Sequence, residues 1–386
     1  MLTVDVLEDA ARKLEAYILN EGYEGYDPYD ALNSPFLGRL GGGKLIRFSA
    51  QQLLKRSPVN LRPMLRIQKG HNPVTMGLCV QSFTYLRDVH SHQKEHYQQQ
   101  IELSLDHLRR LRSKGYSGAC WGYDFDWEAR YASIPAFTPT IVATGFVTNA
   151  LFENYKMTGD QASLDLCLSA TAFVLKDLSR SYEGDSFCYS YSPRDHQMVF
   201  NATMKGARLL AQVYSVTKEV KLAEEAKKTV QFVIQHQKEE GSWPYSYADA
   251  RTWVDSFHTG YVLDCLDEYM KLTNDSDYGE PLRRAVEFYV RNLFTDDGIP
   301  KYYSNKLYPI DSTAAAQAIL TLTRFGYIEQ ASKVAHWMIE HMQDRSGYFY
   351  YQKTRFYTNK IPYMRWSNAP MLLALSYLLR AQNALV

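Results

Sequence analysis

A chain of 386 residues of which 46% are hydrophobic carries ample apolar surface for a packed core, which excludes a disordered or low-complexity protein. Lys and Arg number 43 against 42 Asp and Glu, so a net charge of +1 gives no global pull toward nucleic acid or an anionic membrane. Five Cys without a short-spaced pair read as reduced thiols, and 30 Tyr supply flat rings with polar tips that suit half-polar ligands such as sugars.

The chain opens with MLTVDVLEDAARKLEAYILNEGY. Its apolar residues recur at helical spacing and it has acids where a secretory signal has a basic segment, so a helix over about 2–20 is expected. No window approaches the ~20 apolar residues that a membrane span needs. A cytoplasmic protein without membrane insertion is the expectation. The next stretch, 22–72, is irregular, with GYEGYDPYDALNSPFLGRLGGGK, a helix near 46–57 and a Pro-containing connection. Gly38 to Lys44 fits G-x-x-x-x-G-K, but Leu45 stands where Ser or Thr would hold magnesium and no strand precedes it. A flap over the site, with Lys44 and Arg47 adding positive charge, is the better reading.

From about residue 70 the chain repeats. Glycine and aromatics, a small polar residue and then an apolar helix recur at intervals of 54–65 residues, with helix heads near Thr75, Thr140, Asn201, Asp255, Asp311 and Ser367. Between them lie amphipathic segments at about 92–114, 161–178, 219–238, 277–294 and 327–343. Helices apolar nearly all round belong inside and amphipathic ones outside. With the N-terminal helix as the sixth outer member, the pattern predicts an all-α, closed (α/α)6 toroid of six inner and six outer helices. The whole chain, 1–386, is read as one domain, with 22–72 an elaboration over one mouth of the ring.

QKEEGSW from Gln237 to Trp243 matches the Q-x3-G-x-W repeat of triterpene cyclases, and QDRSGYF from Gln343 to Phe349 is a degenerate copy. The chain resembles the superfamily of α/α toroids that also includes prenyltransferases, lanthionine cyclases, six-hairpin glycosidases and uronyl epimerases. WGYDFDW from Trp121 to Trp127, followed by TPTIVAT, is similar to proteins of bacterial exopolysaccharide-biosynthesis clusters. The resemblance covers about 70–386. It implies the toroid and a role in polysaccharide biosynthesis or processing. The D-x-D-D and D-D-x-x-D motifs of terpenoid enzymes, the Cys-His zinc ligands of lanthionine cyclases and the His-Asp-x-Gly stretch of unsaturated glucuronyl hydrolases are missing. The fold therefore leaves the chemistry to the site.

In such a ring the loops before the inner helices open on one mouth. Aromatic faces stack on the C–H faces of a sugar and carboxylates meet its polar rim. The candidate catalytic residues are Asp255 and Asp311, in equivalent places of adjacent units, Asp124 and Asp126 in the aromatic loop, and His258. Asp255 and Asp311 also stand where N-caps belong, and a cap can line a pocket. In an extended segment Asp124 and Asp126 share one face. Arg130 is placed to pair with Asp126 or to hold a substrate carboxylate. His258 lies three residues after Asp255, on the same helical face, where it can move a proton beside a carboxylate. The substrate-binding candidates are Trp121, Tyr123, Trp127, Arg130, Tyr189, Trp243, Tyr245, Trp253, Tyr302, Tyr303 and Trp366. His90, His92 and His96 lack an H-E-x-x-H frame and read as a solvated face, so neither metal nor cofactor is expected.

These residues point to a glycosidase or uronic-acid epimerase with Asp acid/base groups acting on an oligo- or polysaccharide. Association with polysaccharide-synthesis machinery goes with that reading, and nucleic acid does not. A terpenoid or prenyl cyclase is the first alternative and would need a dry aromatic pocket. A non-catalytic glycan-binding scaffold is the second.

Overall fold

A computed structural model describes residues 3–38 and 43–384. Arg39 to Gly42 of the Gly-rich run lie outside the described residues; Lys44 is exposed in the first turn of a helix. The helices are α1 (Val4–Asn20), α2 (Gly43–Arg56), α3 (Pro73–Val89), α4 (Lys94–Arg110), α5 (Ile141–Thr158), α6 (Gln161–Asp177), α7 (Phe200–Thr217), α8 (Val220–Gln235), α9 (Ser256–Thr273), α10 (Gly279–Asn292), α11 (Ser312–Arg324), α12 (Ile328–Met342) and α13 (Ala369–Asn383).

Helices α3, α5, α7, α9, α11 and α13 pack side by side in that order, and α13 returns to α3 to close the inner ring. Each leans on an outer partner, α4, α6, α8, α10, α12 and, for α13, α1. This is an (α/α)6 toroid. The division follows from the residues. The inner α3 is buried without a break from Pro73 to Leu86, and α7 from Phe200 to Val213. The outer α10 buries Ala285 and Tyr289 and turns its charged face to solvent.

The Gln-Gly-Trp repeat has a structural task. Gln237 Nε2 donates to the Gly241 carbonyl at 3.0 Å and to the Pro281 carbonyl of α10 at 2.9 Å. Gly241, at φ +97°, lets the backbone come so close to α10 that a Cβ would stand 2.5 Å from the Arg284 oxygen. The copy at Gln343 does the same to α1, bonding the Gly347 carbonyl at 2.9 Å and the Ala10 carbonyl at 3.0 Å. The repeat thus ties one outer helix to the next, and α1 stands to α12 as α10 stands to α8. Trp243 belongs to this tie: it is 3% exposed and its indole donates to the Val233 carbonyl at 2.8 Å.

Three predicted helix heads shift. Asn72, not Thr75, caps α3; its side chain accepts from Val74 N, and Pro73 supplies the preset φ of a first helical residue. Asn201 lies inside the first turn of α7, after Val199. Ser367 falls within a π-type turn, Met364–Asn368, that leads into α13. Thr140, Asp255 and Asp311 do cap α5, α9 and α11 through their side chains.

The segment 22–72 packs against the loops that precede the inner helices. Arg47 of α2 bonds Asp126 Oδ2 and Glu128 Oε1, each at 2.9 Å. Gln51 reaches the Asp126 carbonyl at 2.6 Å, and Tyr29 rests between Trp127 and Trp366 at centroid distances of 6.0 and 5.7 Å. No helix among the described residues is long and apolar enough to cross a membrane.

Candidate active site

A cavity runs along the axis of the ring, lined by all six inner helices. At the mouth its wall is Tyr123, Tyr191, Tyr245, Arg365 and Trp366; deeper come Phe146, Lys205, Tyr261 and Arg208; Asp264, Gln317, Arg324, Gln81 and Tyr85 lie further along the same helices.

His258 reaches this cavity from the first turn of α9. Its Nδ1 lies 2.7 Å from Asp255 Oδ2, while Asp255 Oδ1 caps the helix by accepting from the His258 amide at 2.9 Å. Oδ2 also accepts from the Trp253 indole at 3.1 Å. With Nδ1–H held by a carboxylate that is 1% exposed, Nε2 is left as the acceptor, and it has no protein partner among the described residues. The imidazole is framed by Tyr245 and Phe257 at centroid distances of 4.5 and 3.9 Å. A neutral imidazole in this tautomer is a base, with Asp255 ready to balance the imidazolium.

Asp311 repeats the Asp255 arrangement one unit on. Oδ1 caps α11 through Ala314 N at 3.0 Å, and Oδ2 accepts from Gln352 Nε2 at 2.6 Å and the Trp366 indole at 3.3 Å. Burial pushes its carboxyl up to about 6 against the pull of these donors. Position 314 is Ala where α9 has His258, so no imidazole is attached to this second carboxylate. The cavity wall here is Trp366 and Thr313 rather than Asp311. Asp255 and Asp311 therefore do not face each other across the cavity as an open carboxyl pair: all four oxygens are engaged in caps, indoles, Gln352 and His258.

Asp124 and Asp126 lie where the chain bends at 124–125 rather than in an extended segment, and both carboxylates meet residues of 22–72. Asp124 accepts from Asn72 Nδ2 at 2.9 Å and lies against Gly70, where a Cβ would sit 2.4 Å from its oxygen. Burial, with the charge of Asp27 added, pushes it up to about 6. Asp126 is spent on Arg47 and on the Ala136 amide. Arg130 is exposed, and the arginine that meets Asp126 is Arg47, because α2 lies over this loop.

Among the aromatic candidates, Tyr123, Tyr245 and Trp366 line the cavity. Trp127 packs at its rim on Tyr29, Tyr123 and Tyr191. Trp253, 39% exposed, stacks on Tyr245 at 5.2 Å, and Tyr302 and Tyr303 are half-buried beside Phe257. Three candidates are corrected. Trp121 is fully buried with its indole on the Leu108 carbonyl at 2.8 Å. Trp243 makes the same bond to α8. Tyr189 is fully buried, with Phe187 against its ring and Glu225 on its hydroxyl at 3.2 Å. All three are bonded to an outer helix and face away from the axis. Asp185 is exposed at the tip of the hairpin that pairs Arg180–Glu183 with Ser186–Tyr189.

The cavity also holds groups that the pattern reading passed over. Lys205 is 1% exposed, and its Nζ sits 3.8 Å from the centroids of both Phe146 and Tyr261. Burial pushes this amine down to about 7. Arg365 donates to Asp27 with Nε at 2.5 Å and Nη2 at 2.9 Å and stacks over Tyr123 and Trp366. Asp264 is raised by burial and held by Gln317, at 2.7 Å, and by Thr321. A signal for Lys205 was present: two cations, Lys205 and Arg208, interrupt the TMKGARLLA stretch of a buried inner helix. On α5 Lys205 faces Gly145, where a Cβ would stand 2.6 Å from the Lys205 Cβ.

With the geometry in view, comparison with known proteins adds three findings. A family model described as pectic acid lyase matches residues 190–258, a segment that ends on His258 and includes α7 and Asp255. No curated protein sequence matches the chain. Solved structures match over most of it. A cellobiose 2-epimerase from Spirochaeta thermophila is 14% identical with a TM-score of 0.61, over 82% of this chain and 87% of the other. A family 76 alpha-mannanase from Bacteroides thetaiotaomicron is 12% identical with a TM-score of 0.56, over 80% and 87%. A possible member of glycoside hydrolase family 105 from Salmonella enterica serovar Paratyphi A is 13% identical with a TM-score of 0.61, over 100% and 96%. The fold is theirs: an α/α toroid of the six-hairpin kind.

Proposed function

We propose that this chain is a carbohydrate-active enzyme that moves a proton at a sugar carbon, a uronic-acid epimerase working on an oligo- or polysaccharide. The observation that carries this reading is the Asp255–His258 pair at the wall of an aromatic cavity, with Nε2 unpartnered among the described residues. His258 takes the proton from the carbon beside the uronate carboxylate, and Asp255 stabilises the imidazolium. A buried tyrosine hydroxyl of the cavity returns a proton from the other face; Tyr245 and Tyr261 are both raised by burial and so keep their protons until then. Pectic acid is itself a polyuronate, and three of the structural neighbours bear the names of sugar epimerases. Glycoside hydrolysis draws support from the glycoside hydrolase neighbours and from the raised Asp311 carboxyl, but it needs two open carboxyls flanking the bond. In this reading the chain is one toroid domain with 22–72 over its mouth. It works in the cytoplasm beside polysaccharide-synthesis machinery; its five buried free thiols suit a reducing compartment.

The test is deuterium wash-in. Wild type, His258→Gln and Asp255→Asn are incubated with uronate-containing oligosaccharides in deuterated water, and products are read by NMR and mass spectrometry. Deuterium at the carbon next to the carboxylate, reduced ~10²–10⁴-fold in both variants, is expected. Asn keeps the helix cap at position 255 but turns an amide toward the imidazole, so folding should hold while the tautomer is lost. Shortened products without deuterium gain would replace the epimerase by a glycosidase where both new ends are saturated, or by a lyase where one new end carries a C=C bond. Binding without either change would replace it by a glycan-binding protein.

A further inference from the structure

Three side chains on the inner face of α7 line the cavity one turn apart: Asn201, Lys205 and Arg208. All carry hydrogen-bond donors at their tips, and among the described residues none has a carboxylate bonded to it. Arg208 donates one Nη2 bond to the Gly145 carbonyl at 3.1 Å. Asn201, 3% exposed, has no partner among the described residues for its buried Nδ2. Lys205 has no hydrogen bond or ion pair among the described residues, and its two flanks are ring faces, which satisfy charge but accept no hydrogen bond in the plane of a carbonyl or carboxylate. Its surroundings are Phe146 and Gly145 on α5, Tyr261, Asp264 and Cys265 on α9, and Arg208 on its own helix. Asp264 is tied up by Gln317 and Thr321. A buried ammonium costs free energy unless it is paired, and a buried amide N–H is rarely left unmade. Gly145 clears room for this one side chain. Arg365, by contrast, arrives at the cavity already matched by Asp27.

We infer that Lys205, with Asn201 one turn before it, is the receptor for the carboxylate of an acidic sugar and selects uronates over neutral sugars. Tyr261 links the two groups: its ring lies 3.8 Å from the Lys205 amine and 6.2 Å from the His258 ring. A sugar anchored there by its carboxylate sits in the same cavity as the base. The inference rests on the uronate reading above for its substrate class, but its test reads binding and not turnover.

Calorimetric titration with D-glucuronate and D-galacturonate, with D-glucose and D-galactose as neutral counterparts and inorganic phosphate as a plain anion, decides it. Wild type is expected to prefer each uronate over its neutral sugar by at least ~10-fold, as a charge-assisted contact in a desolvated site should give. Lys205→Met should bring the two to within about 3-fold while keeping the native circular dichroism, and Lys205→Arg should keep part of the preference. The uronate preference should weaken as pH rises from about 6 to about 9, since the amine loses its charge across that range. A preference that survives in Lys205→Met, equal binding of uronate and neutral sugar by wild type, or no uronate binding at all would overturn the inference. Phosphate bound as tightly as the uronates would overturn its sugar-acid part. Uronate selectivity lost in Lys205→Met, with no deuterium wash-in by wild type, would keep this receptor and remove the epimerase.

Discussion

The local rules at Asp255 and Lys205 act in opposite directions. Asp255 obeys a sequence rule and does more than the rule asks: a cap uses one carboxylate oxygen, and the second is free to orient His258 three residues on. Lys205 breaks a rule, since an ammonium without a carboxylate partner among the described residues is buried on the inner face of a helix. A group that breaks a local rule must be compensated elsewhere, and such places are where function is found. The cost can be measured. Burial lowers the folded-state value of Lys205 to about 7 from an ordinary 10.5. Between those values the unfolded chain holds a proton that the folded chain does not, so stability rises with pH across that window. Below about pH 7 both states are charged and the cost of burying the ammonium is felt in full. Lys205→Met should therefore be more stable than wild type at about pH 6, by something on the order of 2–4 kcal/mol, with the gap closing as pH approaches about 10. Thermal denaturation of the two proteins across that range measures it, and a constant gap would show that the amine is not strained by burial.

At the level of elements, the segment 22–72 carries its own small core of Ala31, Leu54 and Ile67 and is held to the ring by polar contacts. Arg47 is the main tie from α2. It serves Glu128, whose side chain is 8% exposed, and the more open Asp126. Arg47→Ala leaves the Glu128 carboxylate with Ser133 as its side-chain partner, so the loss should be about 1–3 kcal/mol and local. Hydrogen exchange should quicken in α2 and in residues 121–134, with α7 and α9 unchanged. A uniform increase over all helices would instead mean that this tie stabilises the whole ring. The same element decided the fate of the WGYDFDW stretch. Alternation put Asp124 and Asp126 on one face of an extended segment, but the chain bends at 124–125, and alternation carries no information on what covers the two carboxylates. The partners, Asn72 and Arg47, come from far back in the chain.

At the scale of the molecule, a ring is stable only if its last unit meets its first. The seam is made by α13 on α3 and by Gln343 and Gly347 on α1. At Gly347 φ is +103° and a Cβ would stand 2.3 Å from the Lys13 oxygen, which is backbone and cannot rotate away. Gly347→Ala should therefore part α1 from α12 and cost ~2–4 kcal/mol, read as a lower urea midpoint. Gly279→Ala is the control, because nothing lies within 4 Å of the added methyl and the residue opens α10. An unchanged midpoint in Gly347→Ala would show that α1 is a loose appendage and not the sixth outer helix.

The sequence by itself determined the toroid, the assignment of helices to inner and outer rings, and the caps at Thr140, Asp255 and Asp311. These follow from short-range physics: the spacing of apolar residues says which faces are buried, and a cap is a contact over three residues. The seam was legible too, because the Gln-Gly-Trp repeat is a sequence motif with one local geometry. Only the tertiary structure decided which aromatic rings see the axis. Trp121, Tyr189 and Trp243 look like Tyr123, Tyr245 and Trp366 in the chain, yet the former bond to outer helices and the latter line the cavity. It alone showed that Asp311 has Ala314 where Asp255 has His258, and that Phe146, Tyr261 and Gly145 enclose the Lys205 side chain. A cavity is built by side chains converging from six helices, and that convergence depends on contacts between residues far apart in the chain, which no local pattern encodes.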